Sequence, residues 1–192
     1  MKLLPDIKLL ETKASHLAGS MQICDEQLGV NYMNLQTLQK EKASTAFVGF
    51  VAEHLNKVVG FTICFLLEQR SLQLKLNVSM EWLESEFDNE QTLGFRKITA
   101  VNTKWEDKGI GRNLVDVSNQ ELKRRGASSI LSLYWVEGSS GRMANILKRS
   151  GFRSALTIPE YWKEESLATG FQCRVCGKPP CTCTAEIYIL KQ

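Results

Sequence analysis

The sequence predicts an α/β fold built on one central sheet, and three observations support this prediction. Two apolar runs rich in β-branched and aromatic residues, 46–52 and 58–67, are separated by a short, largely polar stretch, which is typical of a β-hairpin. Within residues 96–125, an apolar strand leads through a Gly-x-Gly turn into an amphipathic helix. Residues 129–149 repeat the order of strand and helix, and this alternation favours α/β architecture.

Hydrophobic spacing assigns the elements of the N-terminal half. Residues 7–10 are predicted as a strand, and residues 14–28 as a helix because apolar side chains recur there at helical spacing. Residues 29–44 are polar and predict no single element. The segment 68–94 looks like an insertion, with one or two helical turns at 80–87. Its first part has apolar residues at every second position, which predicts extended hairpin arms: Leu72, Leu74, Leu76 and Val78.

Alternating strands and helices continue through the C-terminal half. The predicted strands are 95–103, 129–136, 152–162 and 184–190, and the predicted helices are 109–125 and 139–149. Each helix is followed by a glycine, Gly126 or Gly151, which suits the left-handed conformation that commonly ends a helix. The last two strands flank a cysteine-rich loop at 166–184.

Length and composition are those of an ordinary globular protein. The 192 residues fit one domain over 1–192 that includes the 68–94 insertion and the 166–184 loop. Charged residues make up 23%, and the net charge of +3 is too small to indicate a nucleic-acid or membrane partner. Pro5 and Asp6 interrupt the N-terminus before any signal-peptide core, so a cytoplasmic location is expected. Nothing in the composition indicates an oligomeric state.

The Gly-x-Gly turn predicts a phosphate-binding site. Gly109 and Gly111 allow a sharp turn without obstruction by Cβ, so that amide N–H groups at the helix start can point at one anion. Lys108 and Arg112 flank the turn and add positive charge. The six-residue dinucleotide fingerprint and the lysine motif of nucleotide hydrolases are both absent, which argues against those two classes of enzyme.

Residues 101–115 resemble the acetyl-coenzyme A signature of the GNAT superfamily of N-acetyltransferases, and the resemblance covers the chain from about residue 44 onward. It implies a mixed, mostly antiparallel sheet flanked by helices. It also implies acetyl transfer from acetyl-coenzyme A, as co-substrate, to a primary amine of a small molecule or protein. The cofactor-binding residues that follow from the motif and the resemblance are Val101, Thr103, Lys108, Gly109, Ile110, Gly111, Arg112 and Asn145.

The chain departs from the superfamily pattern at several positions. Glu106 stands where arginine or glutamine is usual, so we expect the backbone amides to carry more of the phosphate binding. Residues 136–152 resemble the next block of the superfamily, but Leu147 stands where a tyrosine often protonates the departing thiolate. Ser140 replaces a common asparagine, whose contacts Asn145 could take over.

Four cysteines predict a structural zinc site. Cys173, Cys176, Cys181 and Cys183 form two close pairs, a spacing that lets four thiolates surround one tetrahedral ion. Four protein thiolates leave no position for a catalytic water. Disulfides and free thiols are the alternatives, and a nucleic-acid-binding zinc ribbon is a third, although few basic residues accompany the cysteines. The resemblance places this loop near the acceptor.

The sequence does not identify the catalytic residues or the acceptor. Glu53, His54 and Glu137 lie near strand ends and are candidate bases, with none preferred. Aromatic residues at strand ends could wall an acceptor pocket, although strand cores also contain such residues: Tyr134, Trp135, Tyr161 and Trp162. Two other functions remain open, a coenzyme A-binding protein with weakened chemistry and a zinc-containing interaction or nucleic-acid-binding module.

Overall fold

The computed structural model describes residues 4–87, 92–137 and 141–191. Its longer strands are β1 (Ile7–Glu11), β3 (Phe47–His54), β4 (Lys57–Leu67), β5 (Leu93–Val101), β6 (Ser129–Trp135), β7 (Arg153–Ile158) and β9 (Ala185–Lys191). Two short strands are β2 (Gly29–Val30) and β8 (Gln172–Cys173). The helices are α1 (Leu17–Gln27), α2 (Leu35–Lys42), α3 (Gln69–Leu76), α4 (Met80–Phe87), α5 (Ile110–Arg124), α6 (Arg142–Arg149) and α7 (Lys163–Thr169).

The long strands form one seven-stranded sheet in the order β1-β3-β4-β5-β6-β9-β7. Only the pair β5–β6 is parallel, and the other neighbours are antiparallel. The predicted hairpin is β3–β4, with Phe47 opposite Phe65. The prediction of a mixed, mostly antiparallel sheet flanked by helices is therefore confirmed.

Helices cover both faces of the sheet. On one face, α1 to α4 bury leucines such as Leu17, Leu38 and Leu72 against the strands. On the other face, α5 and α6 bury Leu114 and Leu147, both fully shielded from solvent. No helix in the described part of the chain is both long and apolar enough to span a bilayer.

The prediction of extended hairpin arms in 68–94 is wrong, because the described part of that segment forms α3 and α4. Leu72 and Leu76 are fully buried, whereas Leu74 is 77% exposed. Alternating apolar residues contain the i, i+4 pair that one face of a helix presents, so the pattern fits both elements. The expected turns at 80–87 are confirmed as α4, and residues 88–91 lie outside the described residues.

Helices α2 and α6 lie in segments that the sequence left open or placed only in part. Residues 29–44, which predicted no element, contain β2 and α2, and α2 begins at an N-cap where Asn34 accepts a hydrogen bond from the N–H of Thr37. The helix expected at 139–149 begins at Arg142 in the described residues, and Ser140 lies outside them.

Candidate functional site

A groove of about 720 Å³ opens where β5 and β6 separate. The two strands pair only from Leu93 opposite Ser129 to Arg96 opposite Ser132. Beyond that point β5 continues along β4 as far as Val101, while β6 continues along β9 as far as Trp135. The register of β4 and β5 shifts next to Arg96, at the point of separation. The groove therefore stays open because β5 follows β4 while β6 follows β9.

One end of the groove, the α5 end, lies at the start of helix α5. Gly109 occupies the N-cap with φ +79°, and the first hydrogen bond of the helix runs from the N–H of Asn113 to the carbonyl of Gly109. The N–H groups of Ile110, Gly111 and Arg112 therefore lack helical acceptors and lie at the positive end of the helix dipole. This geometry suits an anion such as a diphosphate.

Gly111 lets a ligand approach the helix closely. A Cβ added there would lie 3.5 Å from Ile146 Cδ1 and 3.7 Å from Val101 Cγ2, which is ordinary contact. Both neighbours line the groove. The space beside Gly111 is therefore available to a ligand, and a larger side chain would take it.

The structure brings most of the predicted cofactor-binding residues to this groove. It is lined by Val101, Thr103, Gly109, Ile110, Gly111, Arg112 and Asn145. Lys108 is not among the lining residues, because its ammonium lies 4.7 Å from the centre of the Trp105 ring and donates to the carbonyl of Lys104. The roles of these eight residues in cofactor binding stay a prediction.

Arg142 is a residue of the α5 end that the sequence did not single out. Its Nη1 donates to Glu106 Oε2 at 2.7 Å and to Asp107 Oδ2 at 3.0 Å. These two residues are the only carboxylates among the described residues that line the groove. Arg142 thus counters the negative charge that Glu106 adds near the start of α5.

Arg96 joins the point of strand separation to helix α5. It is 1% exposed and donates to the carbonyl of Val115 at 3.2 Å and to Ser118 Oγ at 2.9 Å. Burial lowers the pKa of its guanidinium. The charged hydrogen bonds fix α5, and with it the amides of the α5 end, relative to the groove.

The four predicted metal ligands converge at the other end of the groove, the cysteine end. All four Sγ atoms lie within 4.8 Å of one another, and Cys173 and Cys183 are 3.6 Å apart. Cys176 Sγ lies 3.9 Å from that of Cys181 and 3.3 Å from that of Cys183. A zinc ion with four Zn–S bonds of about 2.3 Å needs sulfur atoms about 3.8 Å apart. The cluster fits that geometry, and all six cysteines are free thiols rather than disulfides.

The surroundings of the cluster act on the four thiols in opposite directions. The N–H groups of Val175 and Cys176 both donate to Cys173 Sγ at 3.4 Å. Burial raises the pKa of Cys181 to about 12. At Cys176, burial acts in the same direction, but hydrogen bonds from Thr182 outweigh it and lower the pKa to about 7. A cation would compensate the cost of ionising the buried thiols.

The cysteine loop, residues 173–183, is joined to the segment after α1. Strands β2 and β8 pair antiparallel, with Gly29 opposite Cys173. The N–H of Arg174 donates to the carbonyl of Leu28 at 3.1 Å. The rings of Tyr32 and Phe171 meet edge to face with centroids 5.2 Å apart. We call this two-stranded pair the β2–β8 bridge, and it lies at the cysteine end of the groove.

The three candidate bases do not line the groove. Glu53 lies 3.7 Å from His16 Nε2, His54 packs against Trp105, and Glu137 accepts a hydrogen bond from the N–H of Thr184. Leu147, at the tyrosine position of the superfamily, is buried in the core.

Three of the four aromatic residues that the sequence suggested for an acceptor pocket do line the groove: Tyr134, Trp135 and Trp162. The fourth, Tyr161, does not line it and packs edge to face against Trp162, with ring centroids 4.8 Å apart.

The fold is that of the GNAT N-acetyltransferases, as the resemblance of residues 101–115 predicted. The ribosomal-protein-S18-alanine N-acetyltransferase of Escherichia coli has a TM-score of 0.67 and 14% identity, over 96% of this chain and 93% of its own. The acetyl-CoA complex of NAA60 from Arabidopsis thaliana has a TM-score of 0.69 and 12% identity, over 96% and 98%. An agmatine N-acetyltransferase has a TM-score of 0.65 and 12% identity, over 97% and 100%. The sequence matches no protein-family model and no curated protein.

Proposed function

We propose that this protein is an N-acetyltransferase that transfers the acetyl group of acetyl-coenzyme A to a primary amine. The observation that carries the proposal is the continuous groove, which runs from the free amides of the α5 end to a second, aromatic end. A diphosphate held at Gly109 to Arg112 would leave the pantetheine arm to extend between β5 and β6. The amine would then reach the thioester from the cysteine end.

In this arrangement the protein would act chiefly by holding the amine and the thioester next to each other. A neutral amine attacks the thioester carbonyl, and N–H groups of the part of β5 beyond Arg96, which does not pair with β6, would stabilise the negative charge that develops on the carbonyl oxygen. The new C–N bond replaces the C–S bond, and coenzyme A leaves as a thiol after taking up a proton.

Thiol release tests the proposed reaction. We expect purified protein to release free coenzyme A from acetyl-coenzyme A only when a primary amine is present, with one acetylated amine formed for each thiol. Mass spectrometry of the acceptor checks that stoichiometry. Tight binding of acetyl-coenzyme A without transfer to any amine in a broad panel would favour the alternative of a coenzyme A-binding protein. An absence of binding would contradict both functions.

Arg142 is expected to support cofactor binding by countering Glu106 and Asp107. Arg142→Ala should weaken acetyl-coenzyme A binding about five- to tenfold at low salt, and less at high salt, because two carboxylates then face the phosphates uncompensated. Glu106→Gln should partly restore binding in the double variant. Calorimetry at two salt concentrations measures the effect. Arg153→Ala is the matched control, since Arg153 is similarly exposed and pairs with Glu86 away from the groove.

The pH dependence of transfer should follow the acceptor rather than the protein. No histidine, and no carboxylate besides Glu106 and Asp107, lines the groove among the described residues. The other titratable groups of the lining are lysine and arginine cations, the phenols of Tyr32 and Tyr134 and two thiols proposed to bind zinc, so we expect the amine to lose its proton to water before it attacks. We expect kcat/KM to rise with pH and to level off near the pKa of the acceptor amine. The pH at which the profile levels off should therefore differ between acceptors of different pKa. A break at one fixed pH for all acceptors would instead indicate a base on the protein.

We further propose that Cys173, Cys176, Cys181 and Cys183 hold one structural zinc ion. Their sulfur separations and the free thiols support this assignment. Four thiolate ligands would complete the coordination sphere, so the metal would order the loop without taking part in the transfer. The structural neighbours are N-acetyltransferases, which does not favour a nucleic-acid-binding role for the cysteines.

A further inference from the structure

We propose that Lys97 is an internal acceptor, so that the protein transfers the acetyl group of acetyl-coenzyme A to its own Lys97 side chain. The inference rests on the proposed acetyl transfer and goes beyond it by assigning a modification site. Three features of Lys97 carry it: its place in the groove, its place in β5, and the ion pair that holds it.

Lys97 is the only lysine among the described residues that line the groove. The other cations of the lining are arginines, whose guanidinium groups stay protonated and do not react as amines. The proposed reaction needs a primary amine next to a bound thioester. A lysine of the groove itself meets that need at a far higher effective concentration than a free amine does. Lys97 is therefore positioned to compete with an external acceptor.

Lys97 is also the first residue of β5 beyond its pairing with β6, which ends at Arg96. Cys64 lies opposite Arg96 and Ile63 lies opposite Ile98, so Lys97 is the extra residue where the register of β4 and β5 shifts. Such a bulge turns a side chain out of the regular alternation of the strand. The proposed thioester site uses N–H groups of this same stretch of β5. The Lys97 side chain thus begins where the acetyl group would lie.

One ion pair holds the ammonium group of Lys97. Its Nζ lies 3.3 Å from Glu41 Oε1, which also pairs with Lys75 at 3.2 Å. The Lys97 side chain is 24% exposed, and partly exposed ion pairs of flexible lysines are weak. Lys97 can therefore leave Glu41 and react, but the need to break the pair first makes self-acetylation slow.

The self-reaction balances without a further reactant. The ammonium of Lys97 first gives a proton to water, and the free amine then attacks the carbonyl carbon of the thioester. A C–N bond forms as the C–S bond breaks, and the electron pair of that bond leaves with sulfur. The proton that nitrogen loses on becoming an amide ends on sulfur. The products are acetylated Lys97, coenzyme A as a thiol, and the proton released to water.

Incubation with acetyl-coenzyme A in an amine-free buffer tests the inference. We expect the intact mass to increase by one acetyl group per chain, and peptide mapping to place that group on Lys97. Lys75 is the internal reference, because it pairs with the same glutamate and is more exposed, at 34%, but does not line the groove. Direct chemical acetylation would modify Lys75 at least as fast. We expect Lys97 to be modified faster than Lys75 by about tenfold or more.

Two variants and a competitor show whether the modification depends on the groove. Lys97→Arg should abolish the added mass, whereas Lys75→Arg, the matched control, should retain it. An excess of free coenzyme A should slow acetylation of Lys97 and leave that of Lys75 unchanged, because only the former requires the thioester to be bound.

Lys97 modified no faster than Lys75, in protein that acetylates an external amine, would overturn this inference while leaving acetyl transfer supported. Acetylation of Lys97 that excess coenzyme A does not slow would overturn it as well. Modification of neither Lys97 nor any external amine, with acetyl-coenzyme A bound, would count against the proposed function itself.

Discussion

A Gly111→Val protein is expected to fold normally and to lose most of its affinity for acetyl-coenzyme A. The first added carbon would make only ordinary contacts with Ile146 and Val101, so the protein itself accommodates it. Valine is also no worse than glycine in a helix. The branched methyl groups, however, would enter the space that a ligand needs to reach the helix amides. Overpacking of this kind costs about 1–3 kcal/mol, or roughly a five- to 150-fold loss of affinity.

Calorimetry with acetyl-coenzyme A and a thermal unfolding curve separate binding from folding in this variant. Gln120→Val is the matched control, because it adds the same side chain at an exposed position of the same helix. The control should bind acetyl-coenzyme A like the unchanged protein. Unchanged affinity in folded Gly111→Val would refute the placement of the cofactor at the α5 end.

Removal of the proposed zinc ion is expected to reduce acceptor turnover far more than cofactor affinity. The cysteine loop is tied to the groove through the β2–β8 bridge and Phe171, whereas the α5 end is built by other elements. Loss of the ion leaves buried thiols without a common partner, so the loop loses much of its ordering free energy. We expect Cys176→Ser to lower kcat/KM about ten- to 100-fold with less than a threefold change in the dissociation constant of acetyl-coenzyme A.

Elemental analysis of protein purified without chelator should find one zinc per chain, and Cys176→Ser should contain much less. Hydrogen exchange should increase in the cysteine loop and in residues 28–32 of that variant. Cys24→Ala is the control, since Cys24 is a buried core cysteine that does not belong to the cluster and its loss should leave the zinc content unchanged. Metal-free protein whose four clustered thiols all react freely would exclude the site.

Much of the fold is predictable from local sequence. The hairpin β3–β4 and the helix α5 are confirmed because β-branched runs and capped, periodic segments express their structure over a few neighbouring residues. The insertion is the main failure. Apolar residues at every second position suited a strand, but burial of Leu72 and Leu76 against the core, with Leu74 exposed between them, selected a helix. Periodicity alone does not say which of the apolar positions the tertiary structure will bury.

The chemistry of each end of the candidate site was determined by sequence alone. Glycines at 109 and 111 predict an approachable helix start, and four closely spaced cysteines predict a metal site, because both depend on residues close together in the chain. Only the tertiary structure decided how the ends are related. The short pairing of β5 with β6 opens the groove between them, Arg142 reaches Glu106 across 36 positions, and the β2–β8 bridge joins segments far apart in sequence. Such contacts depend on how twisted strands and packed helices meet in space, which no local pattern encodes.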